Sequence, residues 1–241
     1  MKIAVLSDIH GNLEALEAVI SDLKMQGADR VICLGDNIGY GPDPEEVVQL
    51  IQNLGYESIL GNHEFALMDQ RGRRWFNFQA TENSIETEKL LSTESRKYCC
   101  TLPSFLEIGN AHFVHGYPPV SVFRYLNRQS DEKIVSLFKK TSADIYFLGH
   151  THTLQLVTCR DQVVYRRSLG QEKNILQPGS KYIVNGGSVG QPRDGDNRAK
   201  YLLWDYRNCE LEVRFIDYDR GLTMKKIRER CFPEIYAMRL R

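Results

Sequence analysis

Short apolar runs alternate with segments of helical spacing over the first sixty residues. Residues 2–7 are nearly all apolar, which is typical of a strand buried on both faces, and 30–34 and 56–60 are predicted to be the next two strands. Between them, apolar side chains recur every three or four positions over 13–23 and 44–54, which predicts two amphipathic helices. This alternation predicts a βαβαβ unit with parallel strands and right-handed crossovers.

Capping residues mark the ends of both predicted helices. Asn12 is a suitable N-cap for the first helix, and Gly27 is suited to end it. Asp43 is the predicted N-cap of the second helix, because Pro44 follows it at the first helical position. Gly55 is predicted to end that helix.

The remaining chain predicts a helical region followed by mostly antiparallel strands. Residues 64–102 have helical character, and we interpret them as an insert that shapes the site. Because repeats and Ser/Pro-rich linkers are absent, we expect a single domain over 1–241. Further predicted elements are a hairpin of 106–108 and 112–115, a helix over 131–139, strands at 144–148, 155–159, 163–168, 182–185, 201–204 and 211–216, and a helix over 222–230.

Composition restricts the possible partners and compartment. The 241 residues include 31 basic and 31 acidic side chains, so an extended basic surface for nucleic acid is not expected. No apolar run reaches the roughly 20 residues that span a bilayer, and the N-terminus lacks a signal-peptide core. Six cysteines show no CxxC spacing. We therefore expect a cytoplasmic protein with reduced thiols and no membrane partner.

Polar clusters follow five of the predicted strands. In open α/β sheets, ligands bind at the carboxyl ends of strands, so these clusters are expected to meet at one edge. Five of the six histidines belong to them; the sixth, His112, lies within a predicted strand. The clusters are Asp8-Ile9-His10, Gly35-Asp36-Asn37, Gly61-Asn62-His63-Glu64, His115-Gly116 and Gly149-His150-Thr151-His152.

Carboxylate, imidazole and amide groups are the donors that zinc, manganese, iron or nickel accept. The i, i+2 pairs Asp8/His10 and His150/His152 project to one side of an extended segment, so each pair can face one centre. An aspartate between two such groups can bridge two cations. Two cations roughly 3.5–4 Å apart polarise a phosphoryl group and generate hydroxide near neutral pH.

These motifs, in this order, resemble the calcineurin-like metallophosphoesterases. The resemblance covers the five clusters over residues 8–152 and extends to an Asn185-Gly186-Gly187-Ser188 turn. It is closest to the small bacterial and archaeal branch, whose features include the Gly39-Tyr40-Gly41-Pro42 and 192–196 segments. The fold this implies is an α/β (α+β) four-layer αββα sandwich of two mixed β-sheets flanked by helices.

The resemblance also implies site residues. Two divalent ions (Mn, Fe, Zn, Ni or Co) would share Asp36 as a bridge, and His63 would face the phosphoryl group without binding metal. The implied function is hydrolysis of phosphodiester or phosphomonoester bonds in small or nucleotide-like substrates by metal-bound hydroxide. One ion would be held by Asp8, His10, Asp36 and His152, and the other by Asp36, Asn62, His115 and His150.

Three alternatives remain: a non-catalytic metal-binding scaffold with the same fold, a protein phosphatase, and a nuclease, against which the neutral charge balance argues. A complete ligand set together with His63 argues against the scaffold. Protein serine/threonine phosphatases of the superfamily carry Asp-Arg-Gly where this chain has Gly39-Tyr40-Gly41, so a phosphate-gripping arginine is missing there.

Specificity is expected to depend on 64–102 and on the 186–200 loop. In that loop Arg193 and Arg198 are candidate substrate-binding residues, although Asp194 and Asp196 largely cancel their charge. The basic segment 220–241 is interpreted as a solvated helix, with an interaction tail as the alternative.

Overall fold

The computed structural model describes residues 1–241, folded as two mixed six-stranded sheets with helices outside. The four-layer αββα sandwich is confirmed. The first half of the chain contains β1 (Lys2–Leu6), α1 (Leu13–Gln26), β2 (Arg30–Cys33), α2 (Pro44–Asn53), β3 (Glu57–Ser58), α3 (Asn62–Met68), a 3₁₀ turn (Gln70–Trp75), α4 (Phe78–Leu90), α5 (Thr93–Thr101), β4 (Phe105–Ile108) and β5 (Ala111–Val114).

The second half of the chain supplies most of the antiparallel pairing. Its elements are a 3₁₀ turn (Leu126–Arg128), α6 (Asp131–Lys140), β6 (Ile145–Leu148), β7 (Leu154–Arg160), β8 (Val163–Ser168), β9 (Lys173–Ile175), β10 (Lys181–Gly186), β11 (Ala199–Asp205), β12 (Glu210–Ile216), α7 (Arg220–Glu229) and α8 (Glu234–Met238). None of these helices combines the length and apolar character that crossing a bilayer requires.

The strand order is β3-β2-β1-β11-β12-β9 in one sheet and β4-β5-β6-β10-β7-β8 in the other. β1, β2 and β3 run parallel, as the βαβαβ pattern predicts. In the second sheet β5, β6 and β10 are parallel. The carboxyl ends of β1, β2, β3, β5 and β6 are therefore free to present loops at a common edge.

Successive side chains of β1 point to opposite faces of the sheet, and both faces are buried, so an almost wholly apolar run forms a strand here. Ile3 and Val5 face the second sheet, where they join a core that includes Phe113 and Phe147. Ala4 and its neighbours on the other face of β1 pack beneath α1 and α2. Both faces of this strand are covered, so neither tolerates polar side chains.

Two predictions about the first unit are wrong in detail. The third strand is only Glu57–Ser58, because the Leu60 backbone N–H turns to the Pro103 carbonyl (2.8 Å). Asp43 occupies the N-cap position of α2, but its carboxylate accepts a hydrogen bond from Lys226 Nζ (2.8 Å) instead of capping the helix.

The chain end is also more ordered than predicted. A buried cluster in α7, α8 and their flanks includes Ile227, Phe232 and Tyr236, and it packs beside Tyr40. The interpretation of 220–241 as a solvated helix is therefore wrong. Short β9 and α8 were not predicted, since three residues and five residues carry too little periodicity.

Candidate metal centre and its pocket

The five polar clusters converge in one buried centre. The candidate donor atoms form three groups, and within each group all of the atoms lie within 4.8 Å of one another. None of the eight predicted site residues has more than 7% of its surface exposed. The three groups are Asp8/His10/His152, His10/Asp36/His63 and Asp36/His115/His150.

Asp36 lies between the two halves of this centre. Its Oδ2 is 3.3 Å from His115 Nε2 and 3.9 Å from His10 Nε2. Its Oδ1 accepts the His63 backbone N–H at 2.9 Å. Burial opposes ionisation of Asp36, but His115 and His63 outweigh it and hold the pKa of the carboxyl well below its usual range. An ionised carboxylate with one oxygen facing both halves is suited to bridging two cations.

Backbone carbonyls orient four of the histidines. Each of these rings places one nitrogen against a carbonyl, which leaves the other nitrogen turned toward the centre. The pairs are His10 Nδ1 with Ile38 (3.0 Å), His115 Nδ1 with Leu34 (2.8 Å), His152 Nδ1 with Gln191 (2.6 Å) and His150 Nε2 with Phe123 (3.3 Å).

His10 and His152 show what this orientation implies. Burial lowers the pKa of both rings well below the usual histidine value, so both are neutral. With each Nδ1 proton donated to a carbonyl, the two Nε2 atoms face each other as lone pairs, 3.1 Å apart. Two lone pairs at that distance repel unless a cation lies near both. The donor chemistry of the centre therefore fits a metal ion.

The second half of the centre also favours positive charge. His115 Nε2 lies 3.0 Å from Asn62 Oδ1 and 3.2 Å from His150 Nδ1. Burial opposes protonation of His115, but Asp36 outweighs it and raises the pKa of the ring to about 9. The proton on His115 Nε2 therefore lies among the Asp36 carboxylate, the Asn62 amide oxygen and the His150 imidazole.

The loops that carry the donors have strained backbones. Five donors have a positive φ between 51° and 68°, a region that costs free energy for residues with a side chain: Asp8, His10, Asp36, His150 and His152. Neighbouring side chains hold these loops in place. Asn185 Nδ2 donates to the Gly149 carbonyl (2.6 Å), and Ser188 Oγ donates to the Asp8 carbonyl (2.7 Å). The Asn-Gly-Gly-Ser turn thus positions the centre.

Glu64 is a positioning residue to which sequence reasoning assigned no role. Its buried carboxylate accepts backbone N–H bonds from Asp36 (2.9 Å), Asn37 (2.7 Å) and Gly61 (3.0 Å). It therefore joins the loop after β2 to the start of α3. Glu64 lies three residues after the N-cap residue Gly61, which is the spacing of a capping box. This spacing is the sequence feature from which its positioning role could have been predicted.

His63 is placed differently from the other four histidines of the centre. Its ring makes no hydrogen bond to a backbone carbonyl; it stacks on Phe76 with centroids 4.7 Å apart. Gly39 makes room for it, since a Cβ on Gly39 would lie 2.2 Å from His63 Nδ1. Burial lowers the pKa of His63 to about 4.

A pocket of about 250 Å³ opens onto the centre. Aromatic rings form much of its wall, with Trp75 stacked on Phe123 (5.2 Å between centroids) and Tyr125 stacked on His150 (4.1 Å). Trp75 and Phe76 belong to the segment 64–102. The pocket is lined by Asp36, Tyr40, Asn62, His63, Trp75, Phe76, Asn77, Gln79, Ala80, Phe123, Tyr125, His150, His152, Arg193, Tyr236 and Arg239.

The two candidate arginines have different surroundings. Arg193 lines the pocket, and its guanidinium lies 5.7 Å from the centre of the Tyr40 ring. Arg198 does not line it: its Nη2 pairs with Asp196 Oδ2 at 2.6 Å, and its guanidinium lies over the Phe215 ring. The local aspartate holds Arg198, so we no longer include it among substrate-binding candidates. Arg239 and Tyr236 instead reach the pocket from the chain end.

Comparison with known proteins agrees with this geometry. Residues 1–208 match the calcineurin-like phosphoesterase superfamily domain. An uncharacterised protein of Methanocaldococcus jannaschii is 34% identical over 99% of this chain and 96% of its own. A metallophosphoesterase structure from Sphaerobacter thermophilus has a TM-score of 0.85 and 33% identity, covering 100% of this chain and 98% of that one.

A more distant similarity concerns the phosphatase alternative. Serine/threonine-protein phosphatase 1 of Salmonella typhimurium is 25% identical over 61% of this chain and 77% of its own. The chain belongs to the calcineurin-like phosphoesterase superfamily, with His/Asp clusters that can hold divalent metal ions.

Proposed function

We propose that this protein is a dinuclear metal-dependent phosphohydrolase. It would cleave phosphodiester or phosphomonoester bonds in small or nucleotide-like substrates. The observation that carries the proposal is the pair of neutral imidazoles, His10 and His152, whose Nε2 lone pairs face each other at 3.1 Å beside Asp8. With both Nδ1 atoms hydrogen-bonded to carbonyls, these lone pairs are oriented to bind a cation.

Two metal sites follow from the donors on either side of Asp36. Asp8, His10 and His152 would hold one ion, and Asn62, His115 and His150 the other, with Asp36 shared. When bound, two such cations neutralise phosphate oxygens and activate water near neutral pH. The protein keeps His10, His150 and His152 available as donors by burying them in their neutral form and by binding their outer nitrogens to carbonyls.

His63 would act on the substrate. Its ring is neutral before substrate binds, because burial lowers its pKa to about 4. A phosphate group in the pocket brings negative charge next to the ring, which raises that pKa and favours the imidazolium. The charged ring would then stabilise the phosphoryl oxygens or protonate the leaving oxygen.

The pocket supports a small substrate with an apolar or planar organic portion. Its lining contains Trp75, Phe76, Phe123 and Tyr125, which offer ring faces at the entrance to the centre. The scaffold alternative is disfavoured because the full donor set accompanies His63. Since the sequence has Gly39-Tyr40-Gly41 where protein serine/threonine phosphatases carry Asp-Arg-Gly, a dedicated protein-phosphatase role is disfavoured as well.

The test is metal reconstitution followed by assay. The protein is stripped with a chelator, reloaded with each divalent ion in excess and desalted, and its metal content is measured. A panel of phosphomonoesters, phosphodiesters and dinucleotides is then assayed. We expect two metal ions per chain in the active form. At most one tight ion in demonstrably active protein would exclude the two-metal proposal, and no hydrolysis with any metal would exclude the function.

A further inference from the structure

Two arginines from distant segments of the chain reach the pocket and donate hydrogen bonds to the same side chain. Arg193 follows β10, and Arg239 follows α8. Arg193 Nη2 donates to Gln191 Oε1 at 2.7 Å, and Arg239 Nη1 donates to the same oxygen at 3.2 Å. Gln191 is 3% exposed, so a buried neutral amide holds both guanidinium groups in place.

This pair carries charge that the protein does not neutralise. Neither guanidinium forms an ion pair with a carboxylate, whereas nearby Arg198 is paired with Asp196. Burial, followed by the charge of Arg193, lowers the pKa of Arg239. Arg239 is half-buried and Arg193 is exposed, and two like charges that share one uncharged acceptor repel each other. An anion in the pocket would relieve that cost.

Tyr236 adds a second, independent observation at the same pocket. Its side chain is 2% exposed, and its hydroxyl has no hydrogen-bond partner. The residue lines the same pocket as both arginines, and the Arg239 guanidinium lies 5.9 Å from its ring centre. A buried hydroxyl without a partner is costly, so an acceptor that reaches it from the pocket would be favoured.

We propose that Arg193, Arg239 and Tyr236 form a subsite for a second phosphate group of the substrate. This rests on the proposed function: one phosphate would be hydrolysed at the metal centre, and another would be held, unreacted, by the arginines. The substrate class is therefore an organic compound with at least two phosphate groups.

The chemistry of the subsite favours phosphate over carboxylate. Two guanidinium groups offer several N–H donors in planar forks, and Tyr236 adds an O–H donor. A carboxylate has two oxygens, which a single arginine fork satisfies. A terminal phosphate has three oxygens and about two negative charges at pH 7, which matches two guanidinium groups and a hydroxyl.

Binding of non-hydrolysable anions tests the subsite directly. The probes are ethane-1,2-, propane-1,3- and butane-1,4-bisphosphonate, each compared with the matching n-alkyl phosphonate by calorimetry on the metal-reconstituted full chain. Metal content is measured again after each titration. We expect at least one bisphosphonate to bind about tenfold or more tightly than its monophosphonate, as one additional charge-assisted contact provides.

Variants assign that gain to the arginines. Arg193→Gln and Arg239→Gln should each reduce the bisphosphonate advantage about tenfold and leave monophosphonate binding unchanged. Tyr236→Phe should reduce the bisphosphonate advantage less. If the Arg193→Gln variant is unstable, Arg193→Lys replaces it, because lysine keeps the charge but lacks the planar fork of donors. Arg198→Gln is the matched control from the same loop and should behave as wild type.

The outcomes separate this inference from the proposed function. Equal binding of mono- and bisphosphonates at every spacing would overturn the subsite. Equal weakening of both probe types by the arginine variants would also overturn it, and would place the arginines on the reacting phosphate. A bisphosphonate advantage that the variants abolish, in a protein that hydrolyses no ester, would keep the subsite and exclude the proposed function.

Discussion

The buried centre and the outer wall of the pocket are built by different means. The centre consists of Asp, His and Asn side chains that follow strands, five of them on strained backbone, and carbonyls orient four of its histidines. The wall consists of aromatic and arginine side chains from the loop after β2, the helical insert, the segment after β5, the 186–200 loop and the chain end. Rigid strand ends supply chemistry, whereas peripheral segments supply recognition.

The two regions should therefore respond differently to substitution. Changes in the centre should reduce turnover for every substrate, because they act on the reacting phosphorus. Changes in the wall should alter the Michaelis constant for particular substrates and leave the metal content intact. A substitution that violates this division would show that the regions are coupled.

Asp36→Asn should have the largest effect. The amide removes the charge that both proposed metal sites share, so we expect metal content to fall at both sites and activity to be nearly lost. Element analysis of the desalted protein and steady-state kinetics measure this. Asp144→Asn is the control, since Asp144 lies before β6, at the other end of that strand from His150. Loss of only one ion from the Asp36→Asn variant would refute the bridge.

His63→Ala should lower turnover by roughly 10²–10⁴-fold, the range for loss of a positioned acid, while both metals stay bound. The loss should be smaller for esters with good leaving groups, because these need less protonation. His112→Ala is the matched control, as His112 pairs with Glu107 (3.2 Å) away from the pocket. An empty metal site in the alanine variant would instead make His63 a ligand.

Sequence order was sufficient to place the donors after β1, β2 and β3 at one edge of the first sheet and those after β5 and β6 at one edge of the second, because parallel strands of a sheet end at the same edge. The packing of the two sheets, which the strand pattern does not specify, brings these edges together. The outer wall was not predictable in this way. Arg239 lies 46 residues beyond Arg193 in the sequence, and only the packing of α7 and α8 through Ile227 and Tyr236 brings the two together. Asp43 shows the same limit, since a distant lysine overrides its local capping role.

Gly39→Ala should impair the centre from a position outside it. The added methyl group would lie 2.2 Å from His63 Nδ1, so the ring must move, and we expect activity to fall by about tenfold or more with metals retained. Gly179→Ala is a matched control: its φ of +78° is close to the +87° of Gly39, but a Cβ there meets no atom within 4 Å. The Gly179→Ala variant therefore measures only the free-energy cost of a side chain at positive φ, about 1–2 kcal/mol. Equal activity loss in both variants would attribute the effect to the backbone.

Trp75→Ala should have the smallest effect and the most selective one. The side chain is 71% exposed and is stacked on Phe123, so its removal leaves the core and the donors in place. Stacking on a base contributes about 1–3 kcal/mol, and an exposed ring at a pocket rim should give the lower end of that range. We therefore expect the Michaelis constant to rise about fivefold for nucleotide esters and to stay unchanged for methyl esters of the same phosphate. Tyr165→Ala, which removes another exposed ring on β8 outside the pocket, is the control. An equal rise for both ester types would mean that Trp75 shapes the centre itself, and the division between the two regions would not hold.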